Sequence, residues 1–274
     1  MIRGAVLARG LHASRVAVLL SGMVAGGCIS STPLLPGDAG VPFPDFAQAH
    51  GVASAACRAV ITFTAEIRLS GQVAGEAFGV RMLSGFQRPA SMRLVGLSPF
   101  GAPVFILAAS ESESVLYLQR DQRVLRGASA TELLDATVGV ALGPEELLAV
   151  LTGCVAMSPD PIGGRLHRNG WVAIDLADGS TVYLDFDEGD WRPRAALRGE
   201  WVVDYPPFPG TFPDEVVLRS TRQAVEVTAR VAQFEANTPI DAAAFAVVVP
   251  DHAIPITLDE LRAAGPLRDA GNAP

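Results

Sequence analysis

Apolar and polar residues alternate from residue 61 in the pattern of a strand with one solvated face. The odd-numbered positions from Ile61 to Leu69 are apolar, and the even-numbered positions from Thr62 to Ser70 are polar. Because successive side chains of a strand point to opposite faces, this period of two predicts a strand over 61–70 that Gly71 ends. Further strands are predicted at 77–86, 91–97, 104–109 and 114–119.

Two short amphipathic helices are predicted after these strands. Ser129 and Glu132 have the spacing of a capping box, in which both side chains bind free backbone amides, and Gly139 is suited to end this helix. The second helix begins at Gly143-Pro144, because Pro at the first helical position loses no amide partner, and it runs to Gly153.

The remaining chain returns to strands separated by tight turns. Asn169-Gly170 and Asp178-Gly179 are the strongest turn signals, since both dipeptides suit the positive φ angles of a hairpin. A second capping box at Thr257 and Glu260 predicts a last helix that Gly265-Pro266 stops. The later strands are predicted at 171–176, 181–186, 194–205, 215–220 and 224–234.

Together these elements predict a mainly β fold. About ten antiparallel strands with two helices inserted midway form one strongly curved sheet, which must cover its apolar face with those helices or with a ligand. No internal repeat and no polar linker divides the strands, so one folded domain is expected over 51–274.

The turn between the strands predicted at 91–97 and 104–109 carries a large aromatic residue. Gly, Asn, Asp and Ser usually occupy a turn tip, yet Phe100 stands between Pro99 and Gly101. Phe100 is therefore either folded back into the core or kept outward for a purpose.

The first 27 residues have the order of a secretory signal. A basic start is followed by an apolar run from Val16 to Gly27, which is too short for a membrane-spanning helix of about 20 residues. Ala25-Gly26-Gly27-Cys28 resembles a bacterial lipoprotein signal, which implies that Cys28 is diacylated and becomes the new N-terminus. The alternative is an ordinary signal with a coincidental Cys. Residues 28–50 are expected to be a flexible tether.

The resemblance to a lipoprotein signal also implies a location. Ile29 and Ser30 follow Cys28, with no Asp to suggest retention in the inner membrane. A lipid-anchored protein on the periplasmic face of the outer membrane is therefore expected.

The charge of the chain excludes several partners. Residues 1–27 hold three of the 21 basic residues and none of the acidic ones, so 18 basic and 29 acidic residues remain. Such a surface repels nucleic acid and anionic headgroups. Every basic residue is Arg, which removes Schiff-base lysines and the phosphate-loop lysine from consideration.

Cys57 and Cys154 remain once Cys28 is assigned. In an oxidising compartment a disulfide between them would persist, and two buried free thiols are the alternative.

No catalytic or metal-binding pattern is found, and neither a cofactor nor an enzyme is expected. The acidic residues around Gly189 lack the spacing of a calcium-binding loop, so they are more simply interpreted as the solvated tip of a hairpin.

Three stretches resemble the LolA/LolB family of lipoprotein-localisation proteins, and within it the outer-membrane insertase LolB. They are the strand 61–70, the turn Ser98-Pro99-Phe100-Gly101 between two strands, and "ATELLDATVGVALGPEELLAVLTG" at 130–153. The resemblance covers roughly residues 55–205. It implies an unclosed antiparallel half-barrel of about ten or eleven strands, whose short helices cover an apolar cavity for acyl chains.

The same resemblance implies how such a protein works. It receives the acyl chains of a lipoprotein from a periplasmic LolA-like carrier, as a monomer, and releases them into the outer membrane. The turn of Pro99, Phe100 and Gly101 is expected to contact the membrane. Phe stands where the family has an aliphatic residue, and the chain continues about fifty residues further than the family pattern. A lipid-anchored binding or envelope-assembly module of the same fold, without insertase activity, is the alternative.

Overall fold

Hairpins that follow one another along the chain build one large sheet. The computed structural model describes residues 35–73, 75–154 and 160–264. The sheet contains 15 strands in the order β1-β8-β9-β10-β11-β12-β13-β14-β2-β3-β4-β5-β6-β7-β15. Neighbouring strands are antiparallel except β7 and β15, which are parallel. The first and last strands of this order are not paired with each other, so the curved sheet is unclosed.

The bounds of the elements are as follows. The strands are β1 Val41–Pro42, β2 Thr62–Val73, β3 Glu76–Gln87, β4 Ser91–Leu97, β5 Pro103–Ala109, β6 Ser114–Leu118, β7 Arg123–Arg126, β8 Pro161–Leu166, β9 Val172–Leu176, β10 Thr181–Asp187, β11 Asp190–Arg198, β12 Trp201–Asp204, β13 Glu215–Ser220, β14 Val225–Ala236 and β15 Ile254–Pro255. The helices are α1 Phe46–Arg58, α2 Ala130–Val138, α3 Pro144–Leu151, α4 Leu258–Ala264 and one 3-10 turn, Ala242–Phe245.

The predicted fold class, a mainly β unclosed sheet with few short helices, is confirmed. The strand count is higher than predicted because the stretch 194–205 is divided by a turn at Gly199, whose φ of 57° lies in the left-handed region. The strands β7 and β8 and the two-residue strands β1 and β15 were not predicted. Both predicted capping boxes are present, at Ser129–Glu132 and at Thr257–Glu260.

The concave face of the sheet carries the main core. The alternation predicted for β2 is observed, since Phe63, Ala65 and Ile67 are buried on this face while Arg68 is exposed on the other. The core continues across the neighbouring strands through Phe86 and Met92. Helix α1 packs on β8, β9 and β11, and α2 packs on β6, so the helices cover the concave face.

The folded chain begins earlier than the sequence predicted. The tether was predicted to extend over 28–50, but β1 pairs with β8 and α1 starts at Phe46. The reason is a close approach at Gly164, where a Cβ atom would lie 2.4 Å from the Cβ of Phe46. The missing side chain of Gly164 lets α1 lie directly on the sheet. The predicted signal peptide 1–27 and Cys28 lie outside the described residues.

The residues after β14 form a belt around one half of the sheet. This C-terminal belt, residues 237–264, crosses the outer face, where Val247 and Val249 pack on a cluster of Val115, Tyr117 and Val124. The belt then passes the last edge of the sheet as β15, and α4 packs against α2. The stop predicted at Gly265-Pro266 lies outside the described residues.

Candidate functional site

An apolar cavity lies between the concave face of the sheet and the helices. Its volume is about 70 Å³. For comparison, an engineered apolar cavity of about 150 Å³ holds benzene. The residues that line it are Ile67, Leu69, Met82, Leu94, Phe105, Leu134, Val138, Val140, Leu142, Leu147, Val150, Leu151, Val216, Leu218, Val227 and Ala229.

The cavity lies in the half of the sheet nearest to Phe100. We call the Phe100 rim the end of the sheet formed by the turns 98–102, 119–122, 199–200 and 221–224. The lining residue Leu69 lies near the end of β2 at this rim, whereas Phe63 at the other end of β2 packs away from the cavity. Leu69 and Leu147 are only half-buried. The cavity therefore approaches solvent at the Phe100 rim.

One wall of the cavity is a helix, a short link and a second helix. Helix α2 ends at Gly139, whose φ of 71° suits glycine, and α3 begins after Gly143, whose backbone N–H donates to Glu146 Oε2 at 2.9 Å. Between them the link supplies Val140 and Leu142 to the lining. The lining side chains of α2 and of the link are all apolar, whereas α3 also has a polar contact with the sheet, since Glu146 is paired with Arg198 of β11 at 2.6 Å.

A glycine in the opposite wall makes room for an aromatic ring. A Cβ on Gly96 in β4 would lie 2.1 Å from Cε1 of Phe105 in β5. The ring of Phe105 therefore occupies the space that a side chain at position 96 would need, and it forms part of the lining. Sequence reasoning missed this pair, although a glycine within a strand is a signal of such a close approach.

One buried polar group lies next to the helical wall. The hydroxyl of Tyr205 donates to the carbonyl of Val150 at 3.1 Å and so joins α3 to the chain after β12. Burial raises the pKa of Tyr205 well above its ordinary value, which keeps the hydroxyl a proton donor. No lining residue of the cavity is ionisable. The site is therefore suited to hydrocarbon and has no acid or base aimed into it.

Phe100 projects from the rim beside the cavity. Its exposed fraction is 96%, so of the two alternatives the outward position is the one observed. The turn that carries it is held by Ser98, whose carbonyl accepts from the N–H of Gly101 at 2.9 Å and whose Oγ accepts from the N–H of Ala102 at 3.1 Å. Gly101 has a φ of 83°, which a residue with a side chain rarely adopts.

The two remaining cysteines are joined. Cys57 at the end of α1 and Cys154 after α3 form a disulfide, with their Cα atoms 5.8 Å apart. The bond lies in a small buried cluster with Ala149 of α3. The C-terminal end of the helical wall is therefore fixed to α1, while the link between α2 and α3 has no covalent tie to the sheet.

The acidic hairpin tip has a structural role. Asp185 and Asp187 accept from Arg194 at 3.1 and 3.4 Å. Within residues 35–73, 75–154 and 160–264, no group of His, Cys, Asp and Glu side chains is arranged to hold a metal ion. The same residues contain no helix that is long and apolar enough to cross a membrane.

The structure is that of a curved-sheet protein with an apolar cavity under helices. It is similar to a DUF1329 family protein from Desulfovibrio piger, with 9% identity, a TM-score of 0.50 and coverage of 73% of this chain and 96% of that one. At this identity the likeness concerns the fold alone.

Two further solved structures are similar at lower scores. One is described as an outer-membrane lipoprotein-sorting protein domain from Vibrio parahaemolyticus (11% identity, TM-score 0.46, 73% of this chain and 97% of that one). The other is a LolA superfamily protein from Nitrosomonas europaea (11% identity, TM-score 0.46, 76% of this chain and 98% of that one). No protein-family model and no curated protein sequence matches the chain.

Proposed function

We propose that this protein is a lipid-anchored acceptor of lipoproteins. It binds the acyl chains of a lipoprotein delivered by a LolA-like carrier and releases them into the outer membrane. In this proposal Cys28 carries the anchor, and Pro99, Phe100 and Gly101 form the turn that enters the membrane. The observation that carries the proposal is that the apolar cavity and the exposed Phe100 lie at the same rim.

The position of Phe100 fits entry into a bilayer. A fully exposed Phe gains about 1.5 to 3 kcal/mol when it leaves water, and Pro99 with Gly101 holds it outward at little entropic cost. Insertion of this side chain would bring the rim, and with it the half-buried Leu69, to the lipid surface. An acyl chain could then pass from the cavity to the bilayer without crossing water.

Cargo binding requires the helical wall to move. A cavity of about 70 Å³ is smaller than one that holds benzene, so an acyl chain needs more room than the lining residues leave here. Separation of α2 and the link from the sheet would enlarge the cavity along apolar surfaces that the acyl chain then covers. Each buried methylene contributes about 0.8 kcal/mol, or about 12 kcal/mol for a chain of about 16 carbons.

The direction of transfer follows from relative affinity. The chain has no lysine for a phosphate loop, and no nucleotide chemistry is part of the proposal. The cavity must therefore bind the acyl chains more tightly than the carrier does and less tightly than the bilayer does, because differential binding alone sets the direction.

Transfer from a carrier to liposomes tests this function. A LolA-like carrier loaded with a lipoprotein is mixed with the anchored protein on liposomes, and both carrier-to-protein transfer and insertion are measured. Phe100→Glu should accept cargo normally and fail to insert it. The matched control is Val248→Glu, since Val248 is 94% exposed and lies in the C-terminal belt. Normal insertion by Phe100→Glu, or equal loss in both variants, would reject the proposal.

A binding module without insertase activity is the second candidate. One observation favours it: α4 of the C-terminal belt packs on α2 and places Leu261 in the core. In this second candidate the contact would hold the helical wall closed and retain a bound lipid. The same assay separates the two functions, because a retaining module takes cargo from the carrier but passes none to the liposomes.

A further inference from the structure

Three arginines lie side by side on the outer face of the sheet, next to the turn that carries Phe100. Arg68 in β2 is the direct cross-strand partner of Arg81 in β3 and of Arg230 in β14. We call Arg230, Arg68 and Arg81 the arginine row. Neighbouring strands are about 4.8 Å apart, so the row spans about 10 Å.

The arginine row ends at the Phe100 turn. The strand partner of Arg81 in β4 is Leu97, the residue directly before Ser98. Nη2 of Arg81 lies 3.8 Å from the position that a Cβ of Gly101 would take, so its guanidinium lies against the turn. Phe100 and the row are therefore parts of one continuous surface.

Like charges that face each other across strands destabilise a sheet, so the row calls for an explanation. Arg68 is paired with Glu66 at 3.7 Å and Arg230 with Glu215 at 2.8 Å, and their side chains remain 71% and 65% exposed. Arg81 is exposed, and no described residue forms an ion pair with it. The outward arginine of β4, Arg93, is instead held by the carbonyls of the C-terminal belt.

We propose that the arginine row binds the phosphates of anionic phospholipids at the surface of the membrane that Phe100 enters. This inference rests on the proposed function and names the lipid that its membrane turn meets. A guanidinium presents several donors to phosphate oxygens, and each arginine near an anionic surface adds to binding. A single exposed aromatic side chain contributes little binding by itself, and the arginine row beside it adds electrostatic attraction to anionic lipids.

The proposal predicts an unusual dependence on salt. The chain without residues 1–27 has 18 basic and 29 acidic residues, so its overall charge repels an anionic surface. If the row dominates, salt weakens binding, because it screens the local attraction. If the overall charge dominates, salt strengthens binding. The sign of the salt effect therefore decides between the two.

Vesicle binding to the immobilised chain tests the proposal. The chain from residue 28 onward, with Cys28→Ser so that no acyl chain is attached, is held on a sensor through a biotin at its N-terminus. Vesicles of phosphatidylcholine alone are compared with vesicles that contain about 30% phosphatidylglycerol. The anionic vesicles should bind about tenfold more tightly, and raising the salt from about 0.05 M to about 0.5 M should remove most of the difference.

Variants assign the effect to the row. Arg68→Gln/Arg81→Gln/Arg230→Gln should bind both vesicles equally, and Arg81→Gln alone should lose about half of the preference on a logarithmic scale. Arg58→Gln removes one positive charge at the opposite rim and should leave the preference for anionic vesicles unchanged. Thermal unfolding checks the fold; the triple variant should unfold close to the parent, because the facing like charges and two weak exposed ion pairs are removed together.

The outcomes separate this inference from the proposed function. An anionic preference that survives in the triple variant, no preference at all, or tighter binding at high salt would overturn the role of the row. If cargo is inserted normally but anionic vesicles are not preferred, lipid binding by the arginine row is rejected and the proposed insertion function is kept. If the preference depends on the arginine row but no cargo is inserted, lipid binding by the row is kept and the insertion function is rejected.

Discussion

Cys57 and Cys154 join the end of α1 to the chain that leaves α3, across 97 residues of sequence. The bond lies under the helical wall of the cavity, in contact with Ala149. It fixes one end of α3, so any opening of the wall has to be greatest at α2 and at the link between the helices.

Removal of this disulfide should lower stability substantially. In the chain-entropy model, closing a loop of this length restricts the unfolded chain by about 4 to 5 kcal/mol, so Cys57→Ser/Cys154→Ser should lose about that much. Urea unfolding of the parent and the variant measures it, and the reduced parent is the matched control. A difference below about 1 kcal/mol would mean that the bond adds little beyond local packing.

Filling the cavity should block the binding of acyl chains. Ala229 lines the cavity in β14, and Ala229→Leu should reduce the affinity for a fluorescent fatty acid at least about tenfold while stability changes little, because the empty volume accepts the larger side chain. Ala232→Leu makes the same change on the exposed outer face of β14 and should bind normally. Equal affinities in both variants would place the binding site elsewhere.

Weakening the contact between α4 and α2 should speed the entry of lipid. Leu261 is buried in the core beside α2, and Leu261→Ala should lower stability by about 2 to 4 kcal/mol. If the belt holds the helical wall closed, the association rate of the fluorescent fatty acid should rise as well. Val248→Ala, at an exposed position of the same belt, is the control. A stable variant, or one with an unchanged association rate, would show that the belt does not restrain the wall.

Stability should fall as the pH drops below neutral. Burial lowers the pKa of His50 in α1 from its ordinary value of 6.5, with a smaller effect of Arg58. The unfolded chain then binds a proton more readily than the folded chain, so the contribution of His50 is present above about pH 6.5 and is lost as the pH falls from that value through the lower pKa of the folded chain. Urea unfolding at about pH 7.5 and about pH 5 should show this loss, and His50→Gln should reduce it. The same loss in both proteins would assign it to other groups.

The sequence predicts the elements whose signals are local. The alternation in β2, the capping boxes at Ser129 and Thr257 and the hairpin turn at Asp178-Gly179 depend on neighbouring residues alone, and each lies where it was predicted. The alternation also identified the concave face of β2, because burial in a sheet follows the same period of two.

The missed elements depend on distant contacts. Helix α1 is rich in small residues and carries a weak apolar stripe, and it is placed by contact with the sheet at Gly164, more than 100 residues away. The arginine row is likewise invisible in the sequence, since Arg68 and Arg230 become neighbours only when β14 pairs with β2. The size of the cavity depends on how the helices pack on the sheet, and no local sequence pattern determines that packing.

Both edges of the sheet are formed by very short strands that contain a proline. The sheet ends at Val41–Pro42 on one side and at Ile254–Pro255 on the other, so each edge strand is two residues long and contains a proline. Proline has no N–H to offer to an incoming strand, and so short a strand presents few backbone groups. An open sheet of this width would otherwise be a template for polymerisation, and these two dipeptides protect the molecule against growth into fibrils.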